Sequence, residues 1–371
     1  MNSRHASRAG SRTRVVAAGI LRFEIFKHPA GFAVFLRMVR HMRTARSVLY
    51  ASRPSLLARC FAARRLTTCE RRVGDKLGTD DSAFARSSFD GEVYPDLPVV
   101  GPGMAHDIDE RIRRRVQAAG TDRAAAASSS APATTTVVVR TVAAQCLDAE
   151  RVISKIRTSG NLFRCLDPNP HPTVRGALLC VSGGDAARAS KEPTSGPANG
   201  LKDSRFILQQ AYDMRERGEI PGSVDLWAVA NPMTDSVDSF RRKVDAGARC
   251  FLTQPPFFRE RSRSWFEAVA ATDQARDVDI LVGVPIITSL RNLEFWLDLC
   301  GVSQDDREAR RLKSTLPNVA QATDRAAYIE WNAKFIRETA STMAGVTGMH
   351  VMPVTASGLQ MTEEVMRDAT L

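Results

Sequence analysis

The chain has 371 residues, of which 43% are hydrophobic, and this is enough for one large core or two modest ones. The formal charge of +11 is carried by the first 68 residues, which hold +13, while the rest of the chain holds −2. A nucleic-acid-binding protein would spread Lys and Arg over a folded face. A membrane span would need an apolar run of roughly 18 residues. Neither pattern is present, so we expect no nucleic-acid partner and no membrane span.

The N-terminal segment is rich in Arg, Ser and Ala and holds a single acidic residue, Glu24. This composition is typical of an organelle transit peptide. We expect residues 1–70 to be a presequence, directed to a mitochondrion rather than a plastid, with a disordered basic extension as the alternative. Residues 71–88 are polar and are predicted to be a linker. The folded domain would then cover residues 89–371, with a low-complexity insertion (AAAASSSAPATTT) at 124–136.

The cysteines and histidines form no ligand pattern. Seven cysteines occur at wide spacings, and no CxxC pair is present. The six histidines show neither HxxxH nor HExxH spacing. We therefore expect neither a disulfide framework nor a metal site.

From residue 176 onward, short apolar runs alternate with amphipathic stretches, which indicates a parallel sheet covered by helices. No GxGxxG motif or P-loop opens a helix, so a barrel is favoured over a nucleotide-binding doubly wound sheet. The predicted fold is α/β, a TIM-type (β/α)8 barrel with an incomplete or divergent N-terminal part. The predicted strands are 176–181, 224–230, 249–253, 278–284 and 349–354. The predicted helices are 204–217, 236–246, 261–271, 290–299 and 322–344.

Five motifs lie at or near the ends of these strands, where barrel enzymes place their chemistry. The most specific is RKVDAGARCFLTQPPFF at residues 242–258. The others are GGD at 183–185, ANP at 230–232, GVPI at 283–286 and GMHVMP at 348–353. In this order they resemble the methylenetetrahydrofolate reductase family, over roughly residues 137–371. The resemblance implies a flavin enzyme of one-carbon metabolism.

The implied reaction is the reduction of 5,10-methylenetetrahydrofolate to 5-methyltetrahydrofolate, with FAD as cofactor and NAD(P)H as reductant. The family's first strand carries a catalytic glutamate in the pattern F-E-x-[FY]-P-P, and GEVYP makes Glu92 the preferred match. A rival match, FEIF at residues 23–26, lies in the basic segment and lacks the proline. A buried glutamic acid could protonate a folate nitrogen and open the five-membered ring. Asp185 matches the family's aspartate near the flavin and pterin.

The resemblance also assigns binding residues. An amide both donates and accepts, which suits a pterin edge, so Gln254 is expected to bind folate, with Phe257 and either Trp296 or Phe295 against the substrate. Contacts to FAD are implied for a larger set: Gly183, Gly184, Asp185, Asn231, Arg242 and Lys243.

Two alternatives stay open at this point. One is a catalytically degenerate barrel that acts as a binding or assembly protein with a protein partner. The other is a different barrel enzyme, such as a pterin-dependent methyltransferase, which would bind folate without flavin. The family is commonly oligomeric, so a homo-oligomer is also an expectation.

Overall fold

The computed structural model describes one unit, which runs from Arg65 to Leu371. Within it the described residues are 66–71, 89–95, 102–126, 136–144, 148–166, 174–182, 203–317 and 325–370.

Eight parallel strands pair in chain order and close into a barrel, because β8 pairs with both β7 and β1. The predicted (β/α)8 architecture is therefore confirmed. The strands are β1 (Leu66–Glu70), β2 (Gly91–Tyr94), β3 (Thr136–Ala143), β4 (Val174–Val181), β5 (Asp225–Ala230), β6 (Cys250–Thr253), β7 (Asp279–Pro285) and β8 (Gly348–Met352).

Helices cover the outside of the barrel, and several begin at a side-chain N-cap. The Ser236 and Ser289 hydroxyls, for example, accept hydrogen bonds from backbone N–H groups three residues later. None of the described helices is long and apolar enough to cross a membrane. The helices are α1 (Pro102–Ala126), α2 (Ala149–Asn161), α3 (Ser204–Glu216), α4 (Val237–Asp245), α5 (Arg259–Ala270), α6 (Leu290–Leu299), α7 (Arg307–Lys313), α8 (Arg325–Thr342) and α9 (Ala356–Thr370).

Alternation along each strand sorts side chains between two packing layers. On β6, Phe251 belongs to the large core between strands and helices, and its ring lies 4.6 Å from that of Phe240 on α4. Cys250 and Leu252 point the other way, into the barrel. The interior is tight: a Cβ on Gly283 would come within 2.0 Å of the Thr253 carbonyl oxygen. The side chain of a strand residue thus faces either the helices or the barrel interior.

The N-terminal part of the barrel corrects the predicted domain boundary. β1 (Leu66–Glu70) lies within the predicted presequence, and it pairs with β2 and β8. The barrel therefore begins at or before Leu66 and not at residue 89. The strand that contains Glu92 is the second strand and not the first. Residues 72–88, predicted to be a linker, lie outside the described residues, as do residues 1–65.

The rest of the chain follows the predicted rhythm. All five predicted strands and all five predicted helices are present, with ends that differ by at most three residues. The low-complexity stretch is bounded by helix to Ala126 and strand from Thr136, and the residues between lie outside the described part. From residue 176 onward, two of the described helices were not predicted: α7, which is short, and α9, which follows β8.

Charged side chains fill the amino ends of β4, β5 and β7. The Arg175 guanidinium lies 2.9 Å from the Asp225 carboxylate, and both side chains are mostly buried. Burial raises the pKa of Asp225 and of Asp279, against the lowering effect of Arg175 on both. This end of the barrel is closed by an ion pair and its neighbours, and we refer to these residues, Arg175, Asp225 and Asp279, as the basal cluster.

Candidate active site at the carboxyl ends of the strands

Gln254 follows the last residue of β6 and lies on the same strand face as Cys250 and Leu252, which points into the barrel. Its backbone N–H donates to the Ala230 carbonyl at 2.8 Å, which ties the end of β6 to the end of β5. Its side-chain oxygen is buried and has no hydrogen-bond partner among the described residues. A buried acceptor without a donor costs free energy. The amide is therefore placed to accept a hydrogen bond from a ligand in the barrel mouth.

Glu70 is the last residue of β1 and was missed by the sequence analysis. It lies on the same face as Thr68, whose hydroxyl meets the Nδ1 atom of His350 at 2.9 Å inside the barrel. The side chain keeps some contact with solvent, but the dense packing around the carboxyl raises its pKa to about 7. No described residue pairs with this carboxyl. It can therefore hold a proton near neutral pH at the mouth of the barrel.

The Thr68–His350 pair forms the floor beneath Glu70. Burial lowers the pKa of His350 to about 3, so its imidazole is neutral at physiological pH. A neutral ring contributes no charge to the mouth, and the proton-holding group in this layer is the Glu70 carboxyl.

Glu92, the predicted catalytic acid, points towards the helices and not into the barrel. Its carboxylate accepts a hydrogen bond from the Tyr94 hydroxyl at 2.6 Å. It also lies 3.8 Å from Nε of Arg71 and 3.7 Å from Nε of Arg115 on α1. Two cations and a phenol hold this group in the outer layer. The geometry argues against Glu92 as the acid, because a catalytic carboxyl must reach the substrate.

Lys243 and Arg242, the predicted cation pair for FAD phosphates, differ in their surroundings. Lys243 is buried, and its ammonium group donates to the Val229 carbonyl at 2.7 Å and to the Asp235 carboxylate at 3.2 Å. Arg242 is exposed on α4. A lysine engaged in this way does not fit a cofactor diphosphate, so the predicted contact from Lys243 is not supported.

Asn231 is also engaged by protein contacts. Its amide nitrogen donates to the Cys300 carbonyl at 2.9 Å, and its amide oxygen accepts from the backbone N–H of Met233 at 3.1 Å. The side chain thus connects the end of β5 to the end of α6 and is not placed to contact FAD.

The aromatic candidates divide between surface and core. Helices α6 and α7 are inserted between β7 and α8, and the end of α6 meets the β5 end at Asn231. On α6, Phe295 is 50% exposed whereas Trp296 is 2% exposed. Phe257 is buried with its ring 5.6 Å from that of Phe335 on α8. Phe295, the neighbour considered beside Trp296, is thus the aromatic available to a ligand, and Trp296 and Phe257 are packing residues.

Three further residues cannot be placed, because Gly183, Gly184 and Asp185 lie outside the described residues. Among the residues that are described, no three His, Cys, Asp or Glu side chains could hold a metal ion together. A cleft of about 400 Å³ lies away from the mouth, beside the end of α2 that precedes β4. It is lined by Arg113, Gln117, Asn161, Leu162, Arg164 and Cys165.

None of the curated proteins compared matches the sequence. An uncharacterized protein from Clostridium thermocellum, described as binding two copies of 5-methyl-5,6,7,8-tetrahydrofolic acid, superposes with a TM-score of 0.47 and 15% identity, over 85% of this chain and 100% of that chain. A thermostable mutant of a xylanase from Cellvibrio japonicus superposes with a TM-score of 0.45 and 8% identity, over 79% and 87% of the two chains. The assignment of a closed barrel depends on the strand pairing alone.

The family comparison is more specific. The family model for methylenetetrahydrofolate reductase matches residues 219–367. This segment runs from the end of α3 to α9 and contains Gln254, Lys243 and Phe295, whereas Glu70 and Glu92 lie outside it. The C-terminal part of this barrel, residues 219–367, is therefore similar to the methylenetetrahydrofolate reductase family.

Proposed function

We propose that this protein binds a reduced folate in the mouth of the barrel and reduces 5,10-methylenetetrahydrofolate to 5-methyltetrahydrofolate. The observation that carries the proposal is the buried, unpartnered side-chain oxygen of Gln254 at the end of β6. It lies inside the matched family segment, at a position where a ligand N–H group would satisfy it. A pterin ring offers such donors on its edge.

Glu70 supplies the acid in this proposal. Its carboxyl faces the barrel from the last position of β1, and burial raises its pKa to about 7. It is therefore partly protonated at neutral pH and can donate a proton to the folate nitrogen that leaves the methylene carbon when the five-membered ring opens. The resulting iminium is the electrophile that a hydride reduces. General acids work best when their pKa lies near the operating pH.

Phe295, on the helix whose C-terminal end contacts the β5 end, would supply an apolar surface to the ligand. Half of its side chain is exposed, although it is a large aromatic residue on a helix that contacts the β5 end. Stacking against the flat aromatic portion of a folate would cover this surface.

FAD, reduced by NAD(P)H, would deliver the hydride when bound. Of the six residues expected to contact it, Asn231 and Lys243 are engaged elsewhere, Arg242 is exposed on α4, and Gly183, Gly184 and Asp185 lie outside the described part. FAD binding therefore stands as a proposal that depends on the loop after β4.

The proposal is tested with the full-length protein in three titrations. The first adds FAD and follows the flavin bands at roughly 380 and 450 nm. The second adds NAD(P)H and then 5,10-methylenetetrahydrofolate without oxygen. Bleaching by the first reagent and recovery with the second is the expected result. The third measures binding of 5-methyltetrahydrofolate to wild type and to Gln254→Leu, with Gln209→Leu on the exposed face of α3 as the matched control. Absence of both flavin uptake and folate binding would exclude the reductase.

A second candidate is a barrel that binds folate without flavin. The observation that favours it is Lys243, whose ammonium group is occupied by Val229 and Asp235. This candidate predicts folate binding that depends on Gln254 together with a protein that stays colourless when FAD is added. The same three titrations separate the two candidates.

We also propose that the basic N-terminal segment directs the protein to an organelle, with the mitochondrion favoured. Because β1 begins at Leu66, a processing site must precede that residue if the barrel is to stay whole. Mass spectrometry of the N-terminus of the mature protein tests this. A mature chain that begins within or after β1 would contradict it.

A further inference from the structure

The chain turns sharply after β5, and the turn is held by its own side chains. We call residues 231–235 the β5 turn. The Asn231 carbonyl accepts from the backbone N–H groups of Thr234 and Asp235, at 3.1 and 2.8 Å. In return the Asp235 carboxylate accepts from the backbone N–H of Asn231 at 3.2 Å. One carboxylate oxygen thus closes the turn at its first residue.

Lys243 reaches the same carboxylate oxygen from α4. Its ammonium group donates to Oδ2 of Asp235 at 3.2 Å and to the Val229 carbonyl at 2.7 Å. The Lys243 side chain is 11% exposed, so both contacts lie in a largely desolvated place. Charge-assisted hydrogen bonds are stronger than neutral ones, and they orient the groups that they join.

These contacts lie on both sides of the carbonyl that holds Gln254. The Gln254 backbone N–H donates to the Ala230 carbonyl at 2.8 Å. Residue 229, on one side of Ala230, is held by Lys243, and residue 231, on the other side, is held by Asp235. Lys243 is therefore linked to both residues that flank Ala230: directly to Val229, and through the Asp235 carboxylate to Asn231.

We propose that Lys243 is a positioning residue of the folate site, which acts with Asp235 by fixing the carboxyl end of β5 and, through Ala230, the placement of the Gln254 amide. The inference rests on the proposed function, since it assigns Gln254 to the ligand. It differs from the contact implied by the family resemblance, in which this lysine would bind a cofactor phosphate. A site loosened by a fraction of an ångström loses affinity although every ligand-contacting residue is intact.

The positioning role and the cofactor-binding role of Lys243 predict different effects of Asp235→Asn on folate binding. If Lys243 positions the β5 end, Lys243→Met and Asp235→Asn each weaken binding of 5-methyltetrahydrofolate by about tenfold, which corresponds to one charge-assisted hydrogen bond. The double variant is then no worse than the single ones, because both remove the same link. In turnover, the KM for folate rises by the same factor while kcat stays within about twofold. Arg241→Met, at an exposed cation of the same helix that pairs with Asp238, leaves all of these values unchanged.

If Lys243 instead binds a cofactor phosphate, Lys243→Met weakens FAD binding but not riboflavin binding. Asp235→Asn, which removes the ammonium group's carboxylate partner, then fails to reproduce that loss, and folate affinity stays unchanged in both variants. This pattern would overturn the proposal.

Amide hydrogen exchange provides a test that does not need a bound folate. The positioning role predicts that the Gln254 amide exchanges about tenfold faster in Lys243→Met and in Asp235→Asn than in wild type, with unchanged exchange in β3 and β4. If the wild type binds no folate but the two variants show this exchange pattern, the proposed function is contradicted and the positioning role of Lys243 and Asp235 is retained. Unchanged exchange at Gln254 in both variants contradicts the positioning role, whatever the wild type binds. Asp235→Asn keeps an oxygen acceptor at this position and leaves the hydrogen bond from Lys243 to the Val229 carbonyl intact, so it remains informative if Lys243→Met does not fold.

Discussion

The two ends of the barrel bury polar groups in opposite ways. At the amino ends of the strands, the basal cluster pairs Arg175 with Asp225 at 2.9 Å. At the carboxyl ends, the Gln254 side-chain oxygen and the Glu70 carboxyl have no partner among the described residues. Satisfied groups at one end stabilise the fold, and under the proposed function the unsatisfied groups at the other end bind the ligand. This division is the one expected of barrel enzymes, where chemistry lies at the carboxyl ends.

Glu70 and Glu92, on two neighbouring strands, show the same difference between an unpaired and a paired polar group. Glu70 is partly buried and Glu92 is buried, and of the two only Glu92 has cations within 4 Å among the described residues. A carboxylate held by Arg71 and Arg115 is part of the packing between strand and helix. A carboxyl that is packed in without a cation keeps its proton more easily, which is what an acid catalyst needs.

The largest expected effect separates these two glutamates. Glu70→Gln should lower the rate of folate reduction by roughly 10²- to 10⁴-fold, the usual contribution of a general acid, with little change in folate affinity. Glu92→Gln should keep turnover and lose stability, because its two ion pairs are weakened. Steady-state kinetics together with urea unfolding measure both. Normal turnover in Glu70→Gln would show that another residue is the general acid.

The basal cluster gives the second largest effect, on stability. Asp225→Ala leaves the Arg175 guanidinium buried without its carboxylate and should cost about 3–5 kcal/mol in the free energy of unfolding. Asp225→Asn, which keeps a hydrogen-bond acceptor, should cost less. Urea unfolding of the full chain provides the measurement, and folate affinity should stay constant in whatever folds. A loss under about 1 kcal/mol would show that the basal cluster is not a stabilising element.

A smaller effect is expected at the surface of the mouth. Phe295→Ala should weaken binding of 5-methyltetrahydrofolate by about 2- to 10-fold, the range of a single aromatic contact, without a change in stability. Leu299→Ala is the matched control, since Leu299 is the other large exposed apolar residue of the same helix. Isothermal titration compares the variants. Equal losses in both would mean that α6 contributes a general apolar surface and not a stacking residue.

A further effect is expected on the pH dependence of stability. The pKa of Glu70 is raised by burial from its ordinary value of 4.5 to about 7, so the folded protein binds this proton more tightly than the unfolded chain. Its contribution to stability is therefore complete below about pH 4.5 and is lost as the pH rises to about 7. Wild type should lose stability relative to Glu70→Gln across this range. Since the pKa shifts of Asp225 and His350 are common to both proteins, the difference isolates Glu70. Parallel curves would show that the carboxyl is not packed as described.

Much of the C-terminal two-thirds could be predicted because its signals are local. Strands and helices from β4 to β8 follow the apolar periodicity, and the run that contains Gln254 is specific enough to indicate a family. The first strand, LTTCE, is five residues long and continues a basic segment whose composition resembles a presequence. Nothing local distinguishes it, so Glu70 was missed and Glu92 was placed on the wrong strand.

The sequence by itself determined the class of fold, the order of the elements from β4 onward and the position of Gln254 at a strand end, because these depend on periodicity and on short motifs. Only the tertiary structure decided which polar group is satisfied. Lys243, Asn231 and Phe257 contact residues distant in sequence, whereas the Gln254 side-chain oxygen and the Glu70 carboxyl are left without a partner among the described residues. Whether a side chain is free for a ligand depends on contacts made across the closed barrel, and strand alternation sends Glu92 outwards and Glu70 inwards. The alternation becomes informative only when the register of β1 is known.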